Sequence, residues 1–265
     1  MTVKKTYCNE QYVHTMVFDF SEDSLQDLML NRKKAMTTGA NSSQKRAIGS
    51  FTEHEAWSVL SQIMQGLTQL YDLKVFYGDV QPNNIMVVEK QSMRVKLFDP
   101  KYCLAEKTAY KRKLHEDEYH TPLCPYGLKE LMNKNIHPRM APEKAEVFAV
   151  GITMISMLFC EDFNNYYDYR SFTVDFEQLG SKLGKLQAAG YSKELLGLIE
   201  TALIDEEFKR PNIQRFSQLV LTSPKNTYVT QGAGASNNQT SNSTADISRQ
   251  SAGIYVLIVL SRTII

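Results

Sequence analysis

Residues 147–159 constrain the fold most. The run Val-Phe-Ala-Val-Gly-Ile-Thr-Met-Ile-Ser-Met-Leu-Phe is apolar nearly all round when wound at 3.6 residues per turn. A helix of that kind has no face to offer water and must be covered on every side. The rest of the chain therefore has to supply enough elements to place it at the centre of a sizeable domain. At 265 residues, with 43% hydrophobic and 22% charged residues, there is material for one large domain or two small ones. That composition excludes a disordered chain, a collagen or a coiled coil as the whole molecule.

Several partners for this helix can be read along the chain. Thr52 and Glu55 match the S/T-x-x-E capping box. The helix they open places Trp57, Leu60, Ile63, Met64, Leu67 and Leu70 on one core-facing side. Residues 11–20 read as a strand, 21–34 as a helix and 37–50 as a polar connector. Two short β-prone runs, 85–88 and 95–98, flank a polar turn and predict a hairpin. Residues 99–140 read as one long irregular segment, unusual inside a compact domain unless functional. Residues 192–204 and 212–221 predict two further helices.

From residue 222 the chain turns to Ser, Asn, Thr, Gln and Gly, a tail through 265 that cannot bury enough apolar surface to order itself. Its apolar end, 254–260, falls short of the roughly 20 residues that span a bilayer, so no membrane span is expected. Residues 1–10 form a polar N-terminal segment without a signal-peptide core. Cys8, Cys103, Cys124 and Cys160 show no C-x-x-C spacing and read as reduced thiols of a cytoplasmic protein. With 30 Lys and Arg against 29 Asp and Glu, charge gives no reason to expect a nucleic-acid partner.

The residues that suggest chemistry lie in 77–87, Tyr-Gly-Asp-Val-Gln-Pro-Asn-Asn-Ile-Met-Val. Asp79 and Asn84 stand five residues apart in a loop that opens the hairpin. Asp99, fifteen residues after Asn84, ends the second strand. Phosphoryl transfer needs such a set: a carboxylate to take a hydroxyl proton, and oxygen ligands that hold Mg²⁺ against phosphates. A polar hairpin mouth that happens to carry acids is the plainer alternative.

The loop resembles the catalytic loop of eukaryotic protein kinases, H-R-D-L-x-x-x-N. Ala141-Pro142-Glu143 resembles that family's A-P-E, and Phe208-Lys209-Arg210-Pro211 resembles the stretch carrying its conserved Arg. The resemblance implies Asp79 as catalytic base, Gln81 beside the γ-phosphate, and Asn84 and Asp99 as metal ligands. It also implies a buried structural ion pair between Glu143 and Arg210. Residues 17–21 resemble the hinge that holds adenine, with Phe18, Asp19 and Ser21 toward the nucleotide; Phe18 fits an ordinary core residue equally well. The implied fold is α+β and protein-kinase-like over residues 11–221. A remnant strand and hinge (11–24) would precede a predominantly helical C-terminal lobe (25–221). The implied cofactors are ATP and Mg²⁺, and the implied partner is a protein substrate, of Ser/Thr type if either.

The departures from the family are as informative. Fewer than 20 residues precede Phe18, and none is glycine, which implies a truncated N-terminal lobe without a Gly-rich loop or strand Lys. Tyr77 and Gly78 stand where the family has His and Arg, Gln81 where Ser/Thr kinases have Lys, and Asp99-Pro100-Lys101 where it has D-F-G. Pro100 fixes its φ and lacks a donor. Weak or absent kinase activity is the expectation, and a pseudokinase-type binding or scaffold module is the alternative. The basic run 111–113 with the acidic run 116–118 reads as a solvated loop, with partner docking as a second reading.

Overall fold

The computed structural model describes residues 3–8, 11–16, 23–37, 51–98, 122–132 and 141–226. Among these, β1 (Val3–Cys8) and β2 (Gln11–Met16) form an antiparallel hairpin in register from Val3 opposite Met16 to Cys8 opposite Gln11. β1 lies within the segment that composition marks only as polar. The short β3 (Asp23–Ser24) then pairs with β4 (Ile85–Glu89), which pairs with β5 (Arg94–Leu97). The predicted 85–98 hairpin is thus present, with one added edge strand. The helix expected over 21–34 is α1 (Leu25–Thr37), which starts later because Asp23 and Ser24 are used in the sheet.

α2 (Glu53–Asp72) begins at the predicted capping box. The Thr52 side chain accepts the Glu55 N–H, and the Glu55 carboxylate accepts the Thr52 N–H at 2.6 Å. Arg32 of α1 grips the same carboxylate with two nitrogens, at 2.6 and 3.1 Å, and lies 4.0 Å above the Phe51 ring. The core face of α2 is buried as its periodicity requires, from Trp57 to Leu70. Ser58, Ser61 and Gln62 of α2 are buried too. Gln62 donates to the carbonyls of Ser58 and Met93, both at 2.9 Å, and accepts the Val95 N–H at 3.0 Å. That pins the β4–β5 hairpin to α2.

The apolar run is the centre of α4 (Pro142–Phe159), fully buried at Val147, Phe148, Val150, Ile152, Met154, Ile155, Met157 and Leu158. It is covered by α2, by α6 (Lys193–Ala202) and by α7 (Ile213–Leu221). α6 and α7 match the two late helices read from sequence, each opened by a side-chain cap, Ser192 and Asn212.

Two corrections follow. The segment read as irregular contains α3 (Pro125–Met132), a helix too short to show a period. It starts at a proline, which is favourable at a first helical position, and the Cys124 sulfur accepts the Gly127 N–H at 3.4 Å. Between Phe159 and Ser192, where periodicity predicts nothing, the structure has a 3₁₀ turn (Phe163–Tyr166), the strand pair β6 (Tyr167–Asp168) and β7 (Thr173–Val174), and α5 (Phe176–Ala188). Gly180 and Gly184 weaken the α5 signal. The hinge residues Phe18, Asp19 and Ser21, Asp99 and the 111–118 charge run lie outside the described residues, as does the apolar 254–260 end. Among the described residues no helix is long and apolar enough to cross a membrane.

Two outcomes follow from this packing. A Cβ on Gly151 would stand 2.9 Å from Leu203 and 3.0 Å from Ala202, whereas one on Gly184 would meet nothing within 4 Å. Gly151→Ala should therefore destabilise by about 1–2 kcal/mol, overpacking exceeding the gain in helix propensity. Gly184→Ala should stabilise by about 0.5–1 kcal/mol, and urea unfolding reads both signs. Burial raises the Glu55 carboxyl, but the Arg32 guanidinium and the Thr52 donors outweigh it and hold the group below its ordinary 4.5. A group lowered on folding contributes stability above its unfolded value and loses it as pH falls through the native one. Arg32→Met should flatten the stability profile below about pH 4.5.

Candidate active site

The loop between α2 and β4 is fixed from below by the central helix. Gly78 has φ +79, a left-handed conformation that glycine adopts without the steric cost of a Cβ, which is why no larger residue sits there. Its N–H donates to Glu146 Oε1 of α4 at 2.6 Å. Two turns further along α4, Thr153 donates to the Val80 carbonyl at 3.2 Å. Asp79 is held between these two anchored neighbours.

After Val80, Pro82 opens a 3₁₀ turn (Pro82–Asn84), and the Asn84 N–H closes on the Gln81 carbonyl at 3.0 Å. The turn folds the chain back so that three predicted site residues converge. Asn84 Nδ2 donates to Asp79 Oδ2 at 2.7 Å and to the Asp79 carbonyl at 3.1 Å. Gln81 Nε2 donates to Asp79 Oδ1 at 2.9 Å. All three are more than nine-tenths buried. The carboxylate therefore has one amide on each oxygen and a fixed orientation, and Asn84 turns its carboxamide oxygen away from Asp79. Gln81, placed by the sequence reading beside a phosphate, here spends its amide on Asp79.

The loop is also tied to the strand end that leads to Asp99. The Phe98 N–H donates to the Asn84 carbonyl at 2.8 Å. The buried Tyr77 hydroxyl reaches that carbonyl at 3.2 Å and also bonds the Phe98 carbonyl. Among the described residues no group of three His, Cys, Asp or Glu side chains could hold a metal. Any cation here would rest on carboxamide and carboxylate oxygens, a hard donor set suited to Mg²⁺ rather than zinc.

Two residues the motif reading passed over carry much of this geometry. Glu146 was visible as a lone acid at the edge of an otherwise apolar run. Thr153 had no signal, since a threonine inside a buried helix is ordinary.

The expected Glu143–Arg210 ion pair is not formed. Arg210 is 1% exposed, but its guanidinium donates to backbone carbonyls: Ile204 at 2.6 and 2.9 Å, Asp205 at 3.1 Å and Lys144 at 3.2 Å. It also lies 4.7 Å over the Phe148 ring. The carboxylate at the start of α4 comes instead from the facing loop, where Glu207 Oε1 accepts the Ala141 N–H at 2.9 Å. Lys144 returns the contact to the carbonyls of Glu207 and Phe208. Arg210 also approaches Cys124 at the start of α3. Burial pushes the Cys124 thiol up, and the nearby guanidinium only partly offsets it.

Arg210→Ala strips donors from buried carbonyls and leaves a cavity, so it should cost at least about 3 kcal/mol. Glu143→Ala should stay within about 0.5 kcal/mol. Thermal unfolding of the two variants separates this arrangement from an ion pair, which would make both losses large.

The geometry agrees with comparison to known families. The model of the protein kinase domain matches residues 2–220, most of the 265-residue chain. None of the curated proteins matches. A loop presenting Asp79 and Asn84 on a buried central helix and a family match across nearly the whole described body lead to one conclusion: the chain belongs to the protein kinase domain family.

Proposed function

We propose that this chain is an ATP- and Mg²⁺-dependent protein phosphotransferase of low turnover, with Asp79 as base and Asn84 and Asp99 as oxygen ligands of the cation. Protein kinase domains as a family use ATP and Mg²⁺ and act on proteins. The observation that carries the reading is the 2.7 Å bond from Asn84 Nδ2 to Asp79 Oδ2. It orients the carboxylate and leaves the other end of the carboxamide, a hard oxygen, for a cation. When bound, Mg²⁺ would supply charge neutralisation at the phosphates.

The chain's own residues do the rest. Asp79 receives the hydroxyl proton of a protein substrate. Each of its oxygens accepts one amide N–H, Oδ1 from Gln81 and Oδ2 from Asn84. Gln81 holds the carboxylate's rotamer, so a substrate hydroxyl meets a preset acceptor. It brings no positive charge to the transferring phosphoryl group, and preorganised charge is the larger part of this catalysis. Low turnover follows.

A second reading, a pseudokinase-type module that binds partners, is favoured by the same fact: Gln81 is bonded to Asp79 and is neutral. Thermal shift with Mg-ATP and transfer of labelled phosphate to a generic protein substrate decide between them. The proposal expects a saturable shift and slow transfer that Asp79→Asn lowers about 100-fold or more. A saturable shift without transfer would favour the binding module. No shift and no transfer would remove the enzymatic reading altogether.

A further inference from the structure

We infer that Glu130 of α3 is a specificity-determining residue that receives an arginine side chain of the protein substrate. The inference deepens the proposed reading of the chain as a protein phosphotransferase and rests on it for the identity of the ligand. Three acids are buried among the described residues: Asp79, Glu130 and Glu146. Asp79 accepts the amides of Gln81 and Asn84, and Glu146 accepts the Gly78 N–H. Glu130, 8% exposed, differs. Its Oε2 is fully covered and has no hydrogen-bond partner, and among the described residues no Lys or Arg is paired with it. A carboxylate removed from water in this way is costly until a donor or a cation meets it.

α3 sits at the end of α4 that also carries the Asp79 loop. Arg210 approaches Cys124 at the start of α3 and donates to the Lys144 carbonyl at 3.2 Å. Two residues further along α4, Glu146 holds Gly78, the neighbour of Asp79. An extended peptide advances about 3.3 Å per residue, so one with its hydroxyl at Asp79 brings flanking residues toward α3. Arg210 does not serve as the partner of Glu130, because its guanidinium is bonded to the carbonyls of Ile204, Asp205 and Lys144. The chemistry favours arginine over lysine as the ligand. A planar guanidinium offers a carboxylate two parallel N–H donors and is the less strongly hydrated cation, which suits a covered acceptor. A helical side chain leans back over the preceding turn, where Gly127 has no side chain and the half-buried Tyr126 adds a ring against which a guanidinium stacks.

The experiment measures fluorescence anisotropy of labelled peptides built from Gly, Ala and one central Ser, each with a single Arg at a different position. The same peptides with citrulline, the neutral isostere of arginine, are measured beside them. Wild type, Glu130→Gln and Glu143→Gln are compared, the last removing an acid at the start of α4. Melting temperature is recorded for all three proteins. The expected result is that at least one arginine peptide binds wild type about tenfold or more tightly than its citrulline counterpart. Glu130→Gln should erase that difference while melting at the same temperature or higher, and Glu143→Gln should keep it. No preference for arginine at any position in wild type overturns the inference, as does a preference that survives in Glu130→Gln. A lowered melting temperature in Glu130→Gln also overturns it, since the carboxylate is then held by the chain itself. An arginine preference lost in Glu130→Gln, without phosphate transfer to the central Ser in wild type, supports Glu130 as the anchor and removes only the catalytic reading.

Discussion

The hydrogen bond from the Gly78 N–H to Glu146 is the contact on which the site depends. A carboxylate buried on a helix loses its hydration, and such a group is tolerated only when donors replace the lost water. Glu146 is 1% exposed on a helix that is apolar on every side, so its donors must come from chain packed against α4. Thr153 lies seven residues later, two turns along the same face, and it too bonds the loop. Two buried polar groups of the most hydrophobic element of the fold, Glu146 and Thr153, thus grip the residues flanking Asp79. The left-handed φ of Gly78 is what lets the backbone turn its N–H downward at that point.

The second support comes from the opposite side. Gln62 reaches out of α2 to Met93 and Val95, on the far end of the hairpin that the loop opens. Met93 itself has φ +50 and is buried, a conformation that costs a non-glycine residue free energy and persists where its surroundings determine it. Ser58 adds its hydroxyl to the same turn. The hairpin is therefore fixed at its tip by α2 and at its root by the Tyr77, Asn84 and Phe98 bonds. A loop tethered at both ends to packed elements keeps its side chains in one arrangement, as a site relying on positioning requires.

What could be read in advance follows from how local each signal is. The capping box at Thr52, the α2 stripe and the 85–98 hairpin depend on residues within a few positions of one another, and all three are present. Asp79 and Asn84, read from the sequence as five residues apart in one loop, meet because Pro82 and the 3₁₀ turn it opens act over the same short range, whereas the bond from Gln81 to Asp79 was not read in advance. The misses are of the other kind. Arg210 and Glu143 matched a pattern of letters, but a partner far along the chain is chosen by packing. Packing placed Glu207 at the start of α4 and gave the guanidinium to the carbonyls of Ile204, Asp205 and Lys144. α5, with two glycines and few buried positions, is held by tertiary contacts and its Asp175 cap more than by its own propensity.

Gln81 shows the same limit. By letter it is a lost charge, and the sequence alone assigns it only what it lacks. In the folded loop it has a partner, Asp79 Oδ1, and Asn84 holds the other oxygen. Both are neutral donors, and such bonds are roughly half as strong as charge-assisted ones. They orient the carboxylate without bringing a positive charge to it. The arrangement gives the Asp79 carboxylate a fixed orientation through the side-chain amides of two residues of its own loop.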